Sequence, residues 1–272
     1  RATFNGVFKT GTLTVQAPKP SAVAYNPVVL TGGRSGVGTV TLNGKAPVGG
    51  YEVLLTADNG IFTIPASVTV AEGASSATFP VSALVVDTDT VVTTTATASG
   101  TTITKTITVA APVLSTVTVA STLNGGASTV GKVTLTGIAP VGGVTVSLVS
   151  NNAGLSVPAT VTVPEGALSA NFTATSVAVN VDTTGTVVAT QGAVSKSANV
   201  TVRAAVVSAL TASPTSLKGG NNITFRVTLG SAAGPSGTVV TLTSANSAVT
   251  VPATVTVPAG ALTVTFTGTT TA

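Results

Sequence analysis

The sequence contains no cysteine, histidine, methionine or tryptophan, and only 7% of its 272 residues are charged. Zinc and copper sites rely mainly on cysteine and histidine, and proton transfer near neutral pH relies mainly on histidine. Among the seven acidic residues, only Asp87 and Asp89 lie close together in sequence. The composition therefore predicts a protein without a catalytic site, cofactor or transition metal, whose function depends on shape and surface.

The distribution of charged and apolar residues also excludes two classes of partner. The eleven cations are spread from Arg1 to Arg226, with no basic cluster and no aromatic platform beside them. The apolar residues are interrupted every two or three positions by threonine, serine, asparagine or glycine. No stretch approaches the roughly 20 apolar residues that a membrane-spanning helix needs. We therefore expect neither nucleic-acid binding nor membrane insertion.

A repeat of about 93 residues organises the chain. Pro65 and Pro158 stand 93 residues apart (158 − 65), and Pro158 and Pro252 stand 94 apart (252 − 158). A unit of this length matches an immunoglobulin-type sandwich and is too long for a solenoid repeat. The blocks that share the pattern Pro-Ala-x-Val-Thr-Val are residues 65–70, 158–163 and 252–257.

Alternation of apolar and polar residues within each repeat predicts antiparallel strands. The apolar residues Val144, Val146 and Leu148 alternate with Thr145, Ser147 and Val149, which is typical of a half-buried strand. Threonine and valine favour strands, and glycine and proline recur at intervals of about 8 to 12 residues, as in sandwiches. The pattern predicts an all-β chain with no helix.

The recurring sequence motifs are Gly-Gly, Gly-x-Val-Thr-Leu, Ala-Pro-x-Gly-Gly and Val-Pro-Ala-x-Val-Thr-Val-Pro-x-Gly, and they cover essentially the whole chain. These motifs resemble the immunoglobulin-like (BIg-type) tandem repeats of bacterial cell-surface and extracellular proteins. The resemblance implies immunoglobulin-like β-sandwich modules of about 93 residues arranged end to end. It also implies an extracellular or cell-surface location and a structural role. The third repeat departs at residues 233–237, which are Ala-Gly-Pro-Ser-Gly where the others have Ala-Pro-Val-Gly-Gly.

The ends of the chain do not coincide with the ends of a repeat. Residues 8–15 align with residues 195–202, which close the second repeat. We therefore expect a four-part division, in which the first part is the final two strands of a preceding or neighbouring module and the last is a module without its final two strands. The parts are residues 1–18, 19–112, 113–205 and 206–272.

Two explanations of this offset stay open at this point. The chain is either a window from a longer array, or its first strands complete the last sandwich of a neighbouring copy. In the second case Val7, Leu13 and Val15 would enter the core beside Phe266. Head-to-tail pairing of this kind does not close on itself and yields a filament.

A calcium site is a weaker candidate. Asp87 and Asp89 have a spacing that could ligate calcium in a loop, and Asp182 repeats Asp89 one period later. A solvated turn is the favoured interpretation, because the residue that matches Asp87 in the second repeat is Asn180.

Three functions fit the sequence: the structural subunit of an extracellular bacterial fibre, the stalk of an adhesin that binds carbohydrate or a receptor, and a non-catalytic module of a secreted hydrolase. An adhesin should display aromatic or polar residues specific to one module. Beyond seven phenylalanines the chain has only Tyr25 and Tyr51. This scarcity favours the fibre, with other copies of the chain as the expected partner.

Overall fold

The computed structural model describes residues 1–272 and consists of strands, turns and connecting segments without any helix. The predicted all-β class is confirmed. The contacts divide the chain into two compact units, residues 1–112 and 113–272, which are described separately below. The structure contains no helix of the length and apolarity that a membrane span requires.

The first unit contains a short hairpin and one complete sandwich. Its strands are β1 (Ala2–Phe4), β2 (Val7–Lys9), β3 (Pro20–Asn26), β4 (Val29–Thr31), β5 (Ser35–Leu42), β6 (Tyr51–Ala57), β7 (Phe62–Thr63), β8 (Ser67–Val70), β9 (Ser76–Ala83), β10 (Thr90–Ala98) and β11 (Thr101–Ala110). Strands β1 and β2 pair only with each other. The first sandwich packs the four-stranded sheet β3-β5-β9-β7 against the five-stranded sheet β4-β11-β10-β6-β8.

The second unit repeats this arrangement once and then repeats part of it. Its strands are β12 (Leu114–Thr118), β13 (Thr122–Asn124), β14 (Ser128–Leu135), β15 (Val144–Ser150), β16 (Leu155–Ser156), β17 (Thr160–Val163), β18 (Ser169–Ser176), β19 (Thr183–Gln191), β20 (Val194–Arg203), β21 (Val207–Ser213), β22 (Asn222–Leu229), β23 (Thr238–Thr241), β24 (Val249–Thr250), β25 (Thr254–Val257) and β26 (Thr263–Thr270). The second sandwich packs the four-stranded sheet β12-β14-β18-β16 against the five-stranded sheet β13-β20-β19-β15-β17. The third sandwich has the four-stranded sheet β21-β22-β26-β24 but only two strands, β23 and β25, opposite it.

The alternation in the sequence sets which side chains form the cores. Along β15, Val144, Val146 and Leu148 are buried, while Thr145 and Ser147 between them are exposed. The first core contains 18 buried residues and the second 16, whereas the third contains only four. The third sandwich therefore lacks most of the cover that stabilises the other two. The four-part division of the chain at residues 18, 112 and 205 stays a prediction.

The segment before the first sandwich forms strands over only part of its length. A hairpin forms, but its second strand ends at Lys9, and residues 10–19 form no strand. In the first sandwich, the corresponding half of β11 is held between β10 and β4. Residues 10–15 have no such neighbours within the first unit, and isolated strand pairs are marginal in water.

Two sandwiches depend on a glycine that faces a buried phenylalanine. Gly38 pairs with Phe79 across β5 and β9, and Gly131 pairs with Phe172 across β14 and β18. A Cβ atom added to either glycine would overlap the ring of its partner. Glycine is therefore required at both positions, because the ring lies where a side chain would start.

We predict that Gly38→Ala destabilises the first sandwich by about 1 to 3 kcal/mol, because the buried Phe79 ring must leave its position. Both tyrosines, Tyr25 and Tyr51, belong to the first sandwich, so urea unfolding followed by tyrosine fluorescence reports on it alone. Gly60→Ala is the control, since a Cβ at Gly60 meets nothing within 4 Å. Equal unfolding midpoints for the two variants would contradict the steric argument.

Candidate functional site

The third sandwich has an open groove where the other two have a filled core. The groove has a volume of about 330 Å³, and most of its lining is apolar. Strands of the four-stranded sheet and the segment after β23 form its walls. Its main lining residues are Leu210, Phe225, Leu242, Asn246, Val249 and Phe266.

Comparison of equivalent positions shows that the groove is an uncovered core and not a shaped surface pocket. Val23, Val117 and Leu210 occupy the same place in the three sandwiches, since each pairs with a buried valine of the neighbouring strand. Val23 and Val117 are 9% and 6% exposed, but Leu210 is 55% exposed. The missing cover corresponds to β10 and β11, or to β19 and β20, in the complete sandwiches.

A pair of phenylalanines forms part of the groove. Phe225 stands where the other sandwiches have Gly38 and Gly131, and it pairs with Phe266 across β22 and β26. The two rings stack with their centroids 5.2 Å apart and an angle of 16° between their planes. Phe266 is half-buried, whereas its equivalent Phe79 is buried. The aromatic pair fills part of the space beneath the missing strands and still leaves an apolar surface in water.

Residues 1–17 carry the exposed side chains that the sequence predicts as polymer contacts. Leu13 and Val15 are 85% and 84% exposed, and Val7 is 65% exposed. Exposure of this extent is unusual for side chains spaced two apart in a strand-like sequence, and it leaves one apolar stripe without cover.

The hairpin turns align this segment with the closing strands of the complete sandwiches. Phe4 pairs with Val7 around a two-residue turn, as Ala98 pairs with Thr101 in the first sandwich. Counted from this turn, Leu13 and Val15 correspond to the last inward-facing residues of β11, which are 2% and 0% exposed. Those inward-facing residues are Ile107 and Val109. Leu13, Val15 and Val7 belong to the first unit and Phe266 to the second, so contact between them stays a prediction.

The three aspartates of the calcium hypothesis are all exposed, and two of them have a structural role. A carboxylate oxygen of Asp89 accepts the N–H of Ala111 at 2.9 Å, and a carboxylate oxygen of Asp182 accepts the N–H of Ala204 at 2.8 Å. Each bond ties the residue before one strand of the closing hairpin to the residue after the other strand. No group of three or more acidic side chains lies together in the structure. The calcium site stays a prediction that gains no further ligand.

The unusual residues 233–237 form a junction inside the second unit. The amide of Asn180 donates to the hydroxyl of Ser236 at 3.0 Å, and the N–H of Ser236 donates to the side-chain oxygen of Asn180 at 3.2 Å. A Cβ on Gly234 would overlap the backbone of Val179 and Asn180. The residues that depart from Ala-Pro-Val-Gly-Gly therefore form a contact between the second and third sandwiches, which the sequence did not predict.

A structural tyrosine of the first sandwich has a shifted pKa. Burial raises the pKa of Tyr25 above its usual value, and the hydrogen bond to Thr94 opposes part of that rise. The Tyr25 hydroxyl donates to the Thr94 hydroxyl at 2.5 Å, and the Thr94 hydroxyl donates to the carbonyl of Lys105 at 2.8 Å. This chain of bonds satisfies buried polar atoms and links the two sheets of the first sandwich.

Comparison with protein-family models and with curated proteins finds no match. Among solved structures, the D0-D1 domain of intimin is 16% identical, covers 68% of this chain and 98% of its own, and gives a TM-score of 0.29. The Yersinia pseudotuberculosis adhesin InvE is 17% identical over 68% of this chain and 60% of its own, with a TM-score of 0.30. Domains A168-A170 of titin are 15% identical over 92% and 88% of the two chains, with a TM-score of 0.40. These values are too low to carry a functional argument.

The hydrogen bond from the N–H of Ala204 to Asp182 should protect the end of the second sandwich from proteolysis. Asp182→Ala removes the acceptor for Ala204, so we expect trypsin to cleave after the neighbouring Arg203 about fivefold faster, which corresponds to about 1 kcal/mol of lost hydrogen bonding. Mass spectrometry of timed digests measures the rate. Asp182→Asn keeps an acceptor and should restore protection, and Asp87→Ala should have no effect. Equal rates in all variants would show that the bond does not hold the linker.

Proposed function

We propose that this chain is a non-catalytic structural subunit of an extracellular bacterial fibre or surface filament, in which residues 1–15 of one copy add as strands to the third sandwich of the next. The observation that carries the proposal is the match between two incomplete parts. One is an apolar groove that lacks two closing strands, and the other is an exposed segment with the sequence pattern of those strands.

Burial of the donor side chains supplies a driving force for this association. Complete burial of an exposed Leu13 or Val15 contributes roughly 1.5 to 3 kcal/mol each. The same contact would cover Leu210 and Phe266 on the acceptor side. Ordering residues 10–15 costs conformational entropy, which offsets part of the gain. The apolar area covered on both partners and the hydrogen bonds of the added strands oppose that cost.

The backbone of the third sandwich also offers an edge for strand addition. In the first sandwich β6 lies between β8 and β10, whereas the equivalent β23 pairs with β25 alone. Its other side presents N–H and C=O groups without a strand partner, which is the usual basis of strand addition. The third sandwich therefore offers both an apolar floor and a hydrogen-bonding edge.

The complete sandwiches define the register expected for the donor. Ala96 lies opposite Leu55 and Ala189 lies opposite Leu148, so we expect the donor's Ala2 opposite Leu242. By the same correspondence, Val15 should pair in parallel with Leu217, as Val202 pairs with Leu123. Residues 1–15 correspond to residues 95–109 of the first sandwich. The counterparts of residues 86–94 lie in neither segment, so the donor covers the groove incompletely.

Composition supports an assembled extracellular structure. Soluble designed surfaces typically carry about 25 to 35% charged residues, and this chain carries 7% overall. Surfaces of threonine, serine and alanine provide little charge repulsion between copies. The absence of cysteine and methionine removes the side chains most readily oxidised outside the cell. A head-to-tail contact of one donor and one acceptor per copy propagates without closing.

We predict that the double variant Leu13→Asp and Val15→Asp weakens self-association by about 100-fold or more, because each carboxylate would enter an apolar core and two buried side chains are lost. Sedimentation velocity measures the association, and negative-stain electron microscopy measures filament length. The matched control is Thr12→Asp with Thr14→Asp, which adds the same charge to the opposite face of the segment.

Two results would contradict the proposal. The first is a wild-type chain that stays monomeric at concentrations up to hundreds of micromolar. The second is equal association of the Leu13/Val15 and Thr12/Thr14 variants. Either would leave completion of the third sandwich to strands of a longer chain.

A further inference from the structure

Asn246 is one of the polar residues that line the groove, and its counterpart in the second sandwich, Asn152, shows what an amide at this position can bind. Asn246 lies in the loop between β23 and β24, at the position that Asn152 occupies between β15 and β16. The two loops share three local hydrogen bonds. The serine two residues earlier donates to the asparagine carbonyl and accepts from the asparagine N–H, and the side-chain oxygen accepts the N–H two residues later.

The two asparagines differ in burial and in their further contacts, because Asn152 is buried and also accepts the Thr183 hydroxyl at 2.9 Å, whereas Asn246 is exposed. In the second sandwich the Asn152 Nδ2 atom donates to the carbonyls of Thr183 at 3.0 Å and Val200 at 3.2 Å. Those residues belong to β19 and β20, the two strands that the third sandwich lacks. Asn246 holds the same loop conformation, but its exposed Nδ2 atom makes no hydrogen bond within the chain.

We infer that Asn246 anchors the incoming donor segment by donating its side-chain amide to the main-chain carbonyl of Leu13 of another copy. The hairpin turns place Leu13 at the position of Val200, whose carbonyl Asn152 binds in the second sandwich. Thr183 has no counterpart in residues 1–18, so the donor supplies one of the two acceptors. This inference rests on the proposed function, because it requires a donor in the groove.

The contact selects for register as well as for binding. Strand carbonyls alternate in direction, so a shift of the donor by one residue would turn the Leu13 carbonyl away and place Thr12 or Thr14 in the core. A shift by two residues would offer another carbonyl but would move Leu13 and Val15 out of their places. Asn246 and the apolar groove together specify a single register, which neither feature specifies alone.

The test needs an acceptor that cannot bind its own donor segment. The full-length chain carrying Leu13→Asp and Val15→Asp supplies it, because its groove is unchanged. A fluorescent synthetic peptide of residues 1–18 is the probe, and fluorescence anisotropy gives its dissociation constant. In this background Asn246→Asp keeps the oxygen that accepts the N–H of Ala248 but replaces the donating amide with an oxygen.

We expect Asn246→Asp to weaken peptide binding about tenfold or more, since an amide donor is lost and a carboxylate faces a carbonyl. Two controls carry the same charge change. Ser247→Asp alters the same loop at an exposed position, and Asn59→Asp alters the equivalent loop of the first sandwich, where the side chain accepts only the N–H of Ile61. Both should bind the peptide as the background chain does. Circular dichroism melting of all variants checks that the third sandwich remains folded.

The outcomes distinguish the role of Asn246 from the docking of the donor segment in the groove. Peptide binding that is equal in the background chain, Asn246→Asp and Ser247→Asp would overturn the role of Asn246 and leave the groove as the docking site. Loss of binding in Ser247→Asp as well would also overturn it, because charge alone would then explain the effect. No binding to the background chain at hundreds of micromolar peptide would overturn the proposed function itself.

Discussion

The inner face of one sheet in a β-sandwich can be buried only by the other sheet. In the first and second sandwiches five strands cover four, and valines such as Val53 and Val146 are fully buried. In the third, two strands stand opposite four, and the equivalent Val240 remains partly exposed. The apolar sequence of β22 and β26 is the same kind of sequence that forms complete cores earlier in the chain. Its exposure is a property of the missing neighbours and not of the residues themselves.

The same constraint explains both incomplete parts of the chain. Residues 10–15 have a strand-like sequence and form no strand, because hydrogen bonds in a sheet need a partner on at least one side. Leu217 matches Leu30 and Leu123 in the repeat, yet it lies outside any strand, since the parallel partner that orders β4 and β13 is absent beside it. Local sequence thus supplies a preference for extended structure, and a neighbouring strand converts that preference into a sheet.

Much of this fold follows from the sequence because the repeat is close and the alternation is regular. Period-two alternation predicts the strand class, and phenylalanines one repeat apart, Phe79 and Phe172, are buried in the two complete cores. The glycines that accommodate those rings were not predicted, because a glycine in a strand has no side chain to show which ring covers it. In the third repeat Phe225 replaces the glycine that faces the phenylalanine, and only the cross-strand register reveals the change.

The polar contacts were the least predictable part of the molecule. Asn180 and Ser236 are 56 residues apart, and their hydrogen bonds depend on how one loop meets another. The sequence does not show what the amide of Asn246 binds. Asn59, Asn152 and Asn246 occupy the same position of the three repeats, and only the contacts of Asn152 show what an amide there can bind. The sequence did show that Asp89 and Asp182 recur one repeat apart. It did not show that their carboxylates accept backbone N–H groups, because every residue type except proline carries the same backbone donor.

The parallel pairing of opening and closing strands has a mechanical consequence. In the second sandwich β13 lies near the entry of the chain and β20 near its exit, and they pair in parallel over Thr122, Leu123 and Asn124. Tension along the chain would pull these strands in opposite directions along their length. The hydrogen bonds between them would then be loaded together in shear and would have to break at the same time, whereas a hairpin pulled open from one end loses them singly. The first sandwich has the same arrangement between β4 and β11, so each complete sandwich resists stretching through the strands that carry the load.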